Sequence, residues 1–272
     1  MNNNQKKMSF TSSPAIAKLF FTEAGKGKSI LLLHGWVSDS HDWMWQLPEL
    51  EKHYHTVAVD LRGHGRSQVM ASGEYTPDHY VSDIIALIEN EFKSKSFVLI
   101  GHSMGAQISA RVAALRPDLV DAVVSVDGSL GFAAELSGLF EETSNRLQTE
   151  DPVEVTSAML KNFDDGSMHP AMDSLHIRRM KGMPLAPFRE SFAPLFVGQD
   201  QIGQGLNSEI FLKKIKQPFY HMCRYQEQAD KMRTWFSHPK SKVEMWDKAS
   251  HWIMQDRHEE VTKALIEWID AL

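Results

Sequence analysis

The chain has 272 residues, with 29 Lys and Arg against 35 Asp and Glu, for a formal net charge of −6. Its 42% hydrophobic and 24% charged residues are those of a globular protein with a sizeable core rather than a disordered or fibrous one, and an acidic balance without a Lys/Arg-rich block argues against nucleic acid as a partner. A single cysteine, Cys223, excludes an intrachain disulfide or a cysteine-based zinc cluster and fits a reducing, cytoplasmic setting.

Residues 1–10 are expected to form a flexible tail. Met1 to Lys7 carries amides and lysines and leads into no apolar run suited to a signal-peptide core or a membrane span. Beyond it, apolar runs at Ser29 to Leu33 (SILLL), Thr56 to Val59, Phe97 to Ile100 and Ala122 to Val126 predict strands buried on both faces, the habit of parallel sheets. Between the second and third of these, Thr76-Pro77 reads as a cap with proline at the first helical position. Val81, Ile84, Ile85 and Ile88 then share one face of a helix running to Asn90. At the far end Val261, Leu265, Trp268 and Leu272 recur at helical spacing. Strands alternating with helices, without internal repeats, predict an α/β fold.

The most informative segment is Phe97 to Leu115, FVLIGHSMGAQISARVAAL. An apolar strand enters Gly101-His102-Ser103-Met104-Gly105, and a helix with Ala106, Ser109, Ala110 and Ala113 follows directly. Such a G-x-S-x-G turn holds its central residue in a strained conformation that only small neighbours permit, so Ser103 is expected to stand exposed at the head of the sheet as a nucleophile. The following helix directs its N-terminal amides and dipole at developing negative charge.

His34-Gly35-Trp36 directly after SILLL, the run through Asp60 and Arg62 to Ser67 (D-x-R-G-x-G-x-S), and GHSMG at its distance beyond together resemble the α/β-hydrolase fold superfamily. The resemblance covers the chain apart from its tail and middle section. It implies a mostly parallel eight-stranded sheet flanked by helices, with the backbone amides of Trp36 and Met104 as the oxyanion hole; the Asp60 to Ser67 turn is structural. The core comprises residues 11–131 and 215–272, and a helical cap occupies 132–214. That section breaks the regular alternation and holds Met159, Met168, Met172, Met180 and Met183 with Phe188, Phe192 and Phe196, suited either to the cap's own packing or to an adaptable apolar pocket.

The family's histidine follows the last strand, which places the base at His251, after Val243 to Trp246 and before the closing helix; His258 then falls in that helix as a solvated residue. Two carboxylates compete as the acid. Asp127, at the end of the Ala122 to Val126 strand, is preferred, as in a subset of the family. Glu227 is the alternative, near where most members carry an aspartate after the strand starting about Pro218, although PFYHMCRYQEQAD lacks the glycine of that pattern. The subset includes lactone hydrolases and cofactor-independent 3-hydroxy-4-quinolone dioxygenases. The HGWxxD entry at His34 to Asp39 and the histidine in FYHM look like the dioxygenases, whereas Met104 replaces the histidine common after their serine. The resemblance therefore implies a serine hydrolase of an ester or lactone with a hydrophobic body, working through an acyl-enzyme without cofactor or metal. A cofactor-free dioxygenase using a His-Asp dyad is one alternative; a small-molecule receptor on the same fold is another.

Overall fold

The structure, a computed structural model, describes residues 15–93, 95–162 and 167–272; the tail expected over residues 1–10 lies outside the described residues. Seven strands form one sheet: β1 (Phe20–Ala24), β2 (Ser29–Leu33), β3 (His55–Asp60), β4 (Phe97–His102), β5 (Val120–Val126), β6 (Phe219–Cys223) and β7 (Lys242–Met245). Their order is β1-β3-β2-β4-β5-β6-β7. β1 pairs antiparallel with β3 and every other pairing is parallel. The expected count of eight is corrected to seven among the described residues. Ahead of β1, Ala17 and Lys18 give their amides to the side chains of Asp83 and Gln68 and so add no further ladder.

Helices α1 (Leu47–His53), α2 (Pro77–Glu91) and α3 (Met104–Leu115) connect the first strands; α10 (Gln226–Met232), α11 (Ile253–Asp256) and α12 (His258–Asp270) accompany the last. Between β5 and β6 lie α4 (Ser137–Thr149), α5 (Pro152–Asn162), α6 (Pro170–Gly182), α7 (Leu185–Glu190), α8 (Ala193–Phe196) and α9 (Gly205–Leu212). Successive strand residues belong to different cores, as the pleat dictates. Leu31, Leu33, Val57 and Leu99 pack with Ile84 and Ile88 of α2 and Ile108 and Val112 of α3; Ile30, Leu32, Ala58 and Val98 pack with Leu50 of α1 and Val261 and Leu265 of α12. Two-sided burial is why these strands read as continuous apolar runs. At the start of α2, Thr76 Oγ1 meets His79 Nδ1 at 2.8 Å and makes no hydrogen bond to a helix amide, so the expected cap acts through a side chain.

The Asp60 to Ser67 turn is a scaffold. Asp60 accepts from the amides of Ser40 and Arg66, each at 2.9 Å, and Arg62 donates through Nε and Nη2 to the two oxygens of Asp83, both at 2.6 Å. Neither partner of this fork is exposed. Breaking one side of such a buried pair strands the other charge, so Arg62→Met should lower the unfolding free energy in urea by about 3–5 kcal/mol. A loss under about 1 kcal/mol would show that Asp83 finds another partner.

Candidate active site

Ser103 follows the last residue of β4 with φ 50° and ψ −114°, the strained backbone the motif anticipates. The two flanking glycines have a measurable reason. A Cβ on Gly101 would lie 2.3 Å from the carbonyl of Gly105, and one on Gly105 would lie 2.4 Å from the Leu33 carbonyl oxygen. The elbow is fixed to the end of the next strand, for Ser103 N–H donates to Val126 O and Ser129 N–H to Ser103 O, both at 3.1 Å. Ser103 Oγ lies 3.2 Å from Ser129 Oγ.

One strand over, Asp127 directly follows β5, also at positive φ (38°), and its amide donates to Met222 O of β6 at 2.8 Å. Its Oδ2 accepts from His251 Nδ1 at 2.6 Å and from Arg224 Nε at 2.7 Å. Burial alone would raise the Asp127 carboxyl, but the charge of Arg224 and the His251 hydrogen bond hold it down at about 2. His251 moves the other way. Burial, aided by neighbouring His102 and Arg224 and opposed by Asp127, pushes its imidazole down to about 4, so it is neutral at pH 7. With Nδ1 engaged by the carboxylate, Nε2 is the nitrogen left to carry protons. Among the described residues no hydrogen bond joins Ser103 to His251, although both line the same cavity; such contacts often tighten only when substrate binds.

The oxyanion candidates lie beside this group. Met104 opens α3, where a helix amide has no acceptor of its own. Gly35 sits so close that a Cβ there would be 3.2 Å from Ser103 Cβ, which brings Trp36 near Ser103; its indole N–H donates to Phe188 O at 3.1 Å. Thus Ser103, His251, Asp127, Trp36 and Met104 meet at one edge of the sheet. Glu227 does not join them. It stands on the surface of α10 with its side chain 79% exposed and paired with Lys231, which removes it as a partner for His251. His221, the histidine of FYHM, is also elsewhere: it is buried within the sheet and bonded to Ser125 Oγ at 2.8 Å. His258 opens α12, stacked on Trp45.

A cavity of about 640 Å³, counting its open mouth, lies over Ser103 and is walled by Trp36, Phe132, Phe140, Phe192, Phe196 and Trp252. Its polar lining is Ser103, Ser129, Arg224 and His251. Of the five methionines anticipated for an adaptable pocket, Met159 alone lines it; Met168 and Met180 face a neighbouring hollow with His176. The wall is aromatic because Phe140 of α4 stacks on Phe196 of α8, with Phe192 tilted against both.

Sequence reasoning missed Arg224, Ser129 and a second buried carboxylate, Asp42. Asp42 is unexposed and accepts from Arg179 Nη1 of α6 at 2.6 Å, Gln255 Nε2 at 3.2 Å and Trp252 Nε1 at 3.3 Å. His102 Nδ1 lies 3.7 Å away, and His102 Nε2 donates to the carbonyl of His251 at 2.9 Å. Burial opposes the Asp42 charge, but His102 and Arg179 hold its carboxyl far below the usual range. The signal for Arg224 was available, since it follows β6 at the edge where β5 delivers Asp127; Asp42 carried none. Among the described residues no group of three or more His, Cys, Asp or Glu is arranged to hold a metal ion, and no helix is long and apolar enough to cross a membrane.

A sequence model of a family described as the alpha/beta hydrolase fold matches residues 28–152. An epoxide hydrolase of Caballeronia sordidicola is 38% identical over 107 residues, which is 39% of this chain and 32% of that protein; the chain thus matches about a third of this relative's length. Over the whole chain the likeness is structural. A thermophilic esterase from Thermogutta terrifontis superposes with a TM-score of 0.78 at 22% identity, covering 94% of each chain. An enol-lactonase from Burkholderia xenovorans gives 0.78 at 17% identity over 93% of this chain and 97% of its own.

Two measurements test the dyad. If Asp127 holds His251 in its working tautomer, Asp127→Asn should lower kcat on a short-chain aryl ester by about 10³- to 10⁴-fold, while Glu227→Gln, on the surface, should cost less than about threefold; the reverse ranking would displace Asp127. A base must be neutral, and His251 is neutral above its depressed pKa. The acid limb of kcat/KM should therefore lie well below the ordinary histidine value of about 6.5, leaving activity intact at pH 5.5 and lost as pH falls toward 4. A limb at 6.5 or higher would mean that His251 is not depressed in the free protein.

Proposed function

The chain has the α/β-hydrolase fold, and on that premise we propose that it is a serine hydrolase cleaving a carboxylic ester or lactone with a hydrophobic body. The observation that carries this reading is the coincidence of a strained, cavity-facing Ser103 with the Asp127–His251 hydrogen bond at the same sheet edge. Ser103 Oγ attacks the carbonyl carbon while His251 Nε2 takes its proton. The amides of Trp36 and Met104 receive the oxyanion, and Asp127 steadies the imidazolium. Collapse expels the alkoxide, which leaves with the proton from His251. Water, deprotonated by the same nitrogen, then frees the acyl group from Ser103. The scheme calls on no cofactor or metal. In it, residues 132–214 act as the cap whose aromatic side chains receive the apolar body, and the protein works in the cytoplasm on a small molecule.

One observation favours a second reading: the hydrogen bond of Ser103 Oγ goes to Ser129 and not to His251. In a cofactor-free dioxygenase, His251 and Asp127 deprotonate an acidic ring hydroxyl such as that of a 3-hydroxy-4-quinolone, O₂ attacks the resulting anion, and Ser103 only hydrogen-bonds the substrate. The two chemistries separate cleanly. Under the hydrolase reading Ser103→Ala lowers kcat on an aryl ester by about 10³-fold or more, and wild-type turnover is the same under nitrogen as in air. Oxygen uptake with a 3-hydroxy-4-quinolone that survives Ser103→Ala, together with no activity on any acyl ester, would overturn it.

A further inference from the structure

Ser129 carries a hydroxyl to which the serine-hydrolase scheme gives no task. It lies just beyond Asp127, is 4% exposed and lines the cavity over Ser103. Its Oγ stands 3.2 Å from Ser103 Oγ, its one hydrogen-bond partner among the described residues. The backbone secures this position. Ser129 N–H donates to Ser103 O at 3.1 Å, Ser129 O accepts from Gln107 Nε2 at 2.6 Å, and a Cβ on the preceding Gly128 would lie 2.1 Å from Ser125 Oγ and 2.6 Å from Ala106 Cβ. Ser129 is thus pinned to the elbow. Once Ser103 Oγ is acylated it becomes an ester oxygen, a poor acceptor, and the Ser129 hydroxyl must find another partner or remain a buried donor without one.

Strand order tells where that partner comes from. β4 lies between β2 and β5, so Trp36, from the loop after β2, and Ser129, from the loop after β5, flank Ser103 on opposite sides. On the hydrolase reading, on which this inference rests, the carbonyl oxygen turns to the amides of Trp36 and Met104. The leaving oxygen then falls on the other side, within reach of His251, which is anchored on Asp127. We propose that Ser129 is a further catalytic residue whose hydroxyl hydrogen-bonds the leaving oxygen, and afterwards the attacking water, in the cleavage of an unactivated alkyl ester or lactone. In the first half the bond from Ser103 Oγ to the carbonyl carbon forms and the bond from that carbon to the alkoxy oxygen breaks. The proton that His251 Nε2 took from Ser103 passes to the departing oxygen. Ser129 donates a hydrogen bond throughout and gives up no proton. In the second half water approaches the acyl carbon along the path by which the alkoxide left, and so meets the same hydroxyl. A fixed donor counts most where charge is most concentrated, as on an alkoxide oxygen, and least on a nitrophenolate, whose charge spreads into the ring.

The test compares two esters of one apolar acid, ethyl 3-phenylpropanoate and 4-nitrophenyl 3-phenylpropanoate, by kcat/KM, which reads acylation for both. The ratio of the two values in one preparation of the full chain does not depend on how much of it is folded. Ser129→Ala should lower the ethyl-to-nitrophenyl ratio by about tenfold or more, the scale of one lost hydrogen bond to developing charge. Ser129→Thr, which retains the hydroxyl, should keep the wild-type ratio, and Ser129→Val, the same shape without it, should fall with Ser129→Ala. An equal loss on both esters, which a merely structural role or a third oxyanion donor would give, overturns the proposal. So does a single ratio shared by the Thr and Val variants. Failure of the underlying reading looks different: the wild type would then hydrolyse neither ester, and the hydrolase assignment and the role of Ser129 would fall together.

Discussion

Everything at the sheet edge turns on one oxygen, Oδ2 of Asp127, which accepts at once from His251 and from Arg224. Its position is set by strand order. β4, β5 and β6 are parallel neighbours, so their carboxyl ends deliver Ser103, Asp127 and Arg224 side by side, and the loop after β7 returns His251 over them. Ligand sites at the carboxyl ends of parallel strands are the rule in open α/β sheets. Here two adjacent residues in that row, Ser103 and Asp127, are both held at positive φ. Each costs of order 1–3 kcal/mol, and the hydrogen bonds of Ser103 to Val126 and of Asp127 to Met222 are what make the strain tolerable.

Behind His251 stands the second carboxylate. Asp42 gathers Arg179 from α6, Trp252 and Gln255 from the loop and helix that follow His251, and the ring of His102 from the residue before the nucleophile. His176 adds to the same junction, stacked on Trp252 with ring centroids 3.8 Å apart and bonded to Gln255. Through Asp42, α6 is therefore tied to the loop that carries His251 by a buried ion pair and its hydrogen bonds rather than by apolar contact alone. Replaced by well-packed hydrophobes, such a pair would cost little in stability. What it supplies is direction: Asp42 holds His102 and Trp252, whose rings both contact that of His251, and on the proposed mechanism an error of about 1 Å in that imidazole would be worth as much as 10²-fold in rate.

How far all this was legible depends on whether the cause was local. Gly101, Ser103 and Gly105 could be read because the turn is itself a five-residue pattern: a Cβ on Gly101 would meet the carbonyl of Gly105, although one on Gly105 would meet the carbonyl of distant Leu33. β2 was delimited as Ser29 to Leu33 because burial on both faces leaves an unbroken apolar run. β1 was missed for the opposite reason: as an antiparallel edge strand its residues are half-buried or exposed, and FFTEA carries no such run. Asp127 and Arg224 are 97 residues apart, and Asp42 and Arg179 are 137 apart; no periodicity joins them, and only the order of strands does. The choice between Asp127 and Glu227 likewise waited on geometry, because α10 turns Glu227 to solvent, where Lys231 suffices as its partner. The methionines left the choice between cap packing and pocket lining open for a subtler reason. Composition shows which side chains a segment contains but not which face they take, and the faces of α4 and the α8 region that meet Ser103 are phenylalanine.

The hydroxyl pair at the centre links Ser103 to the aromatic wall. Ser103 Oγ rests against Ser129 Oγ, and Ser129 is held in turn by Gln107, whose amide donates to Ser129 O at 2.6 Å and to Leu195 O at 2.9 Å. Gln107 lies on the helix that begins at the elbow, and Leu195 belongs to α8, so the resting orientation of the nucleophile is linked to the position of the aromatic wall. Phe192, Leu195 and Phe196 line the cavity over Ser103, so a ligand against them touches the wall to which Gln107 and Ser129 link the serine. On the proposed hydrolase mechanism, binding energy from an apolar body remote from the scissile bond would be available to orient the serine, and a substrate without special reactivity would be selected by its hydrophobic end.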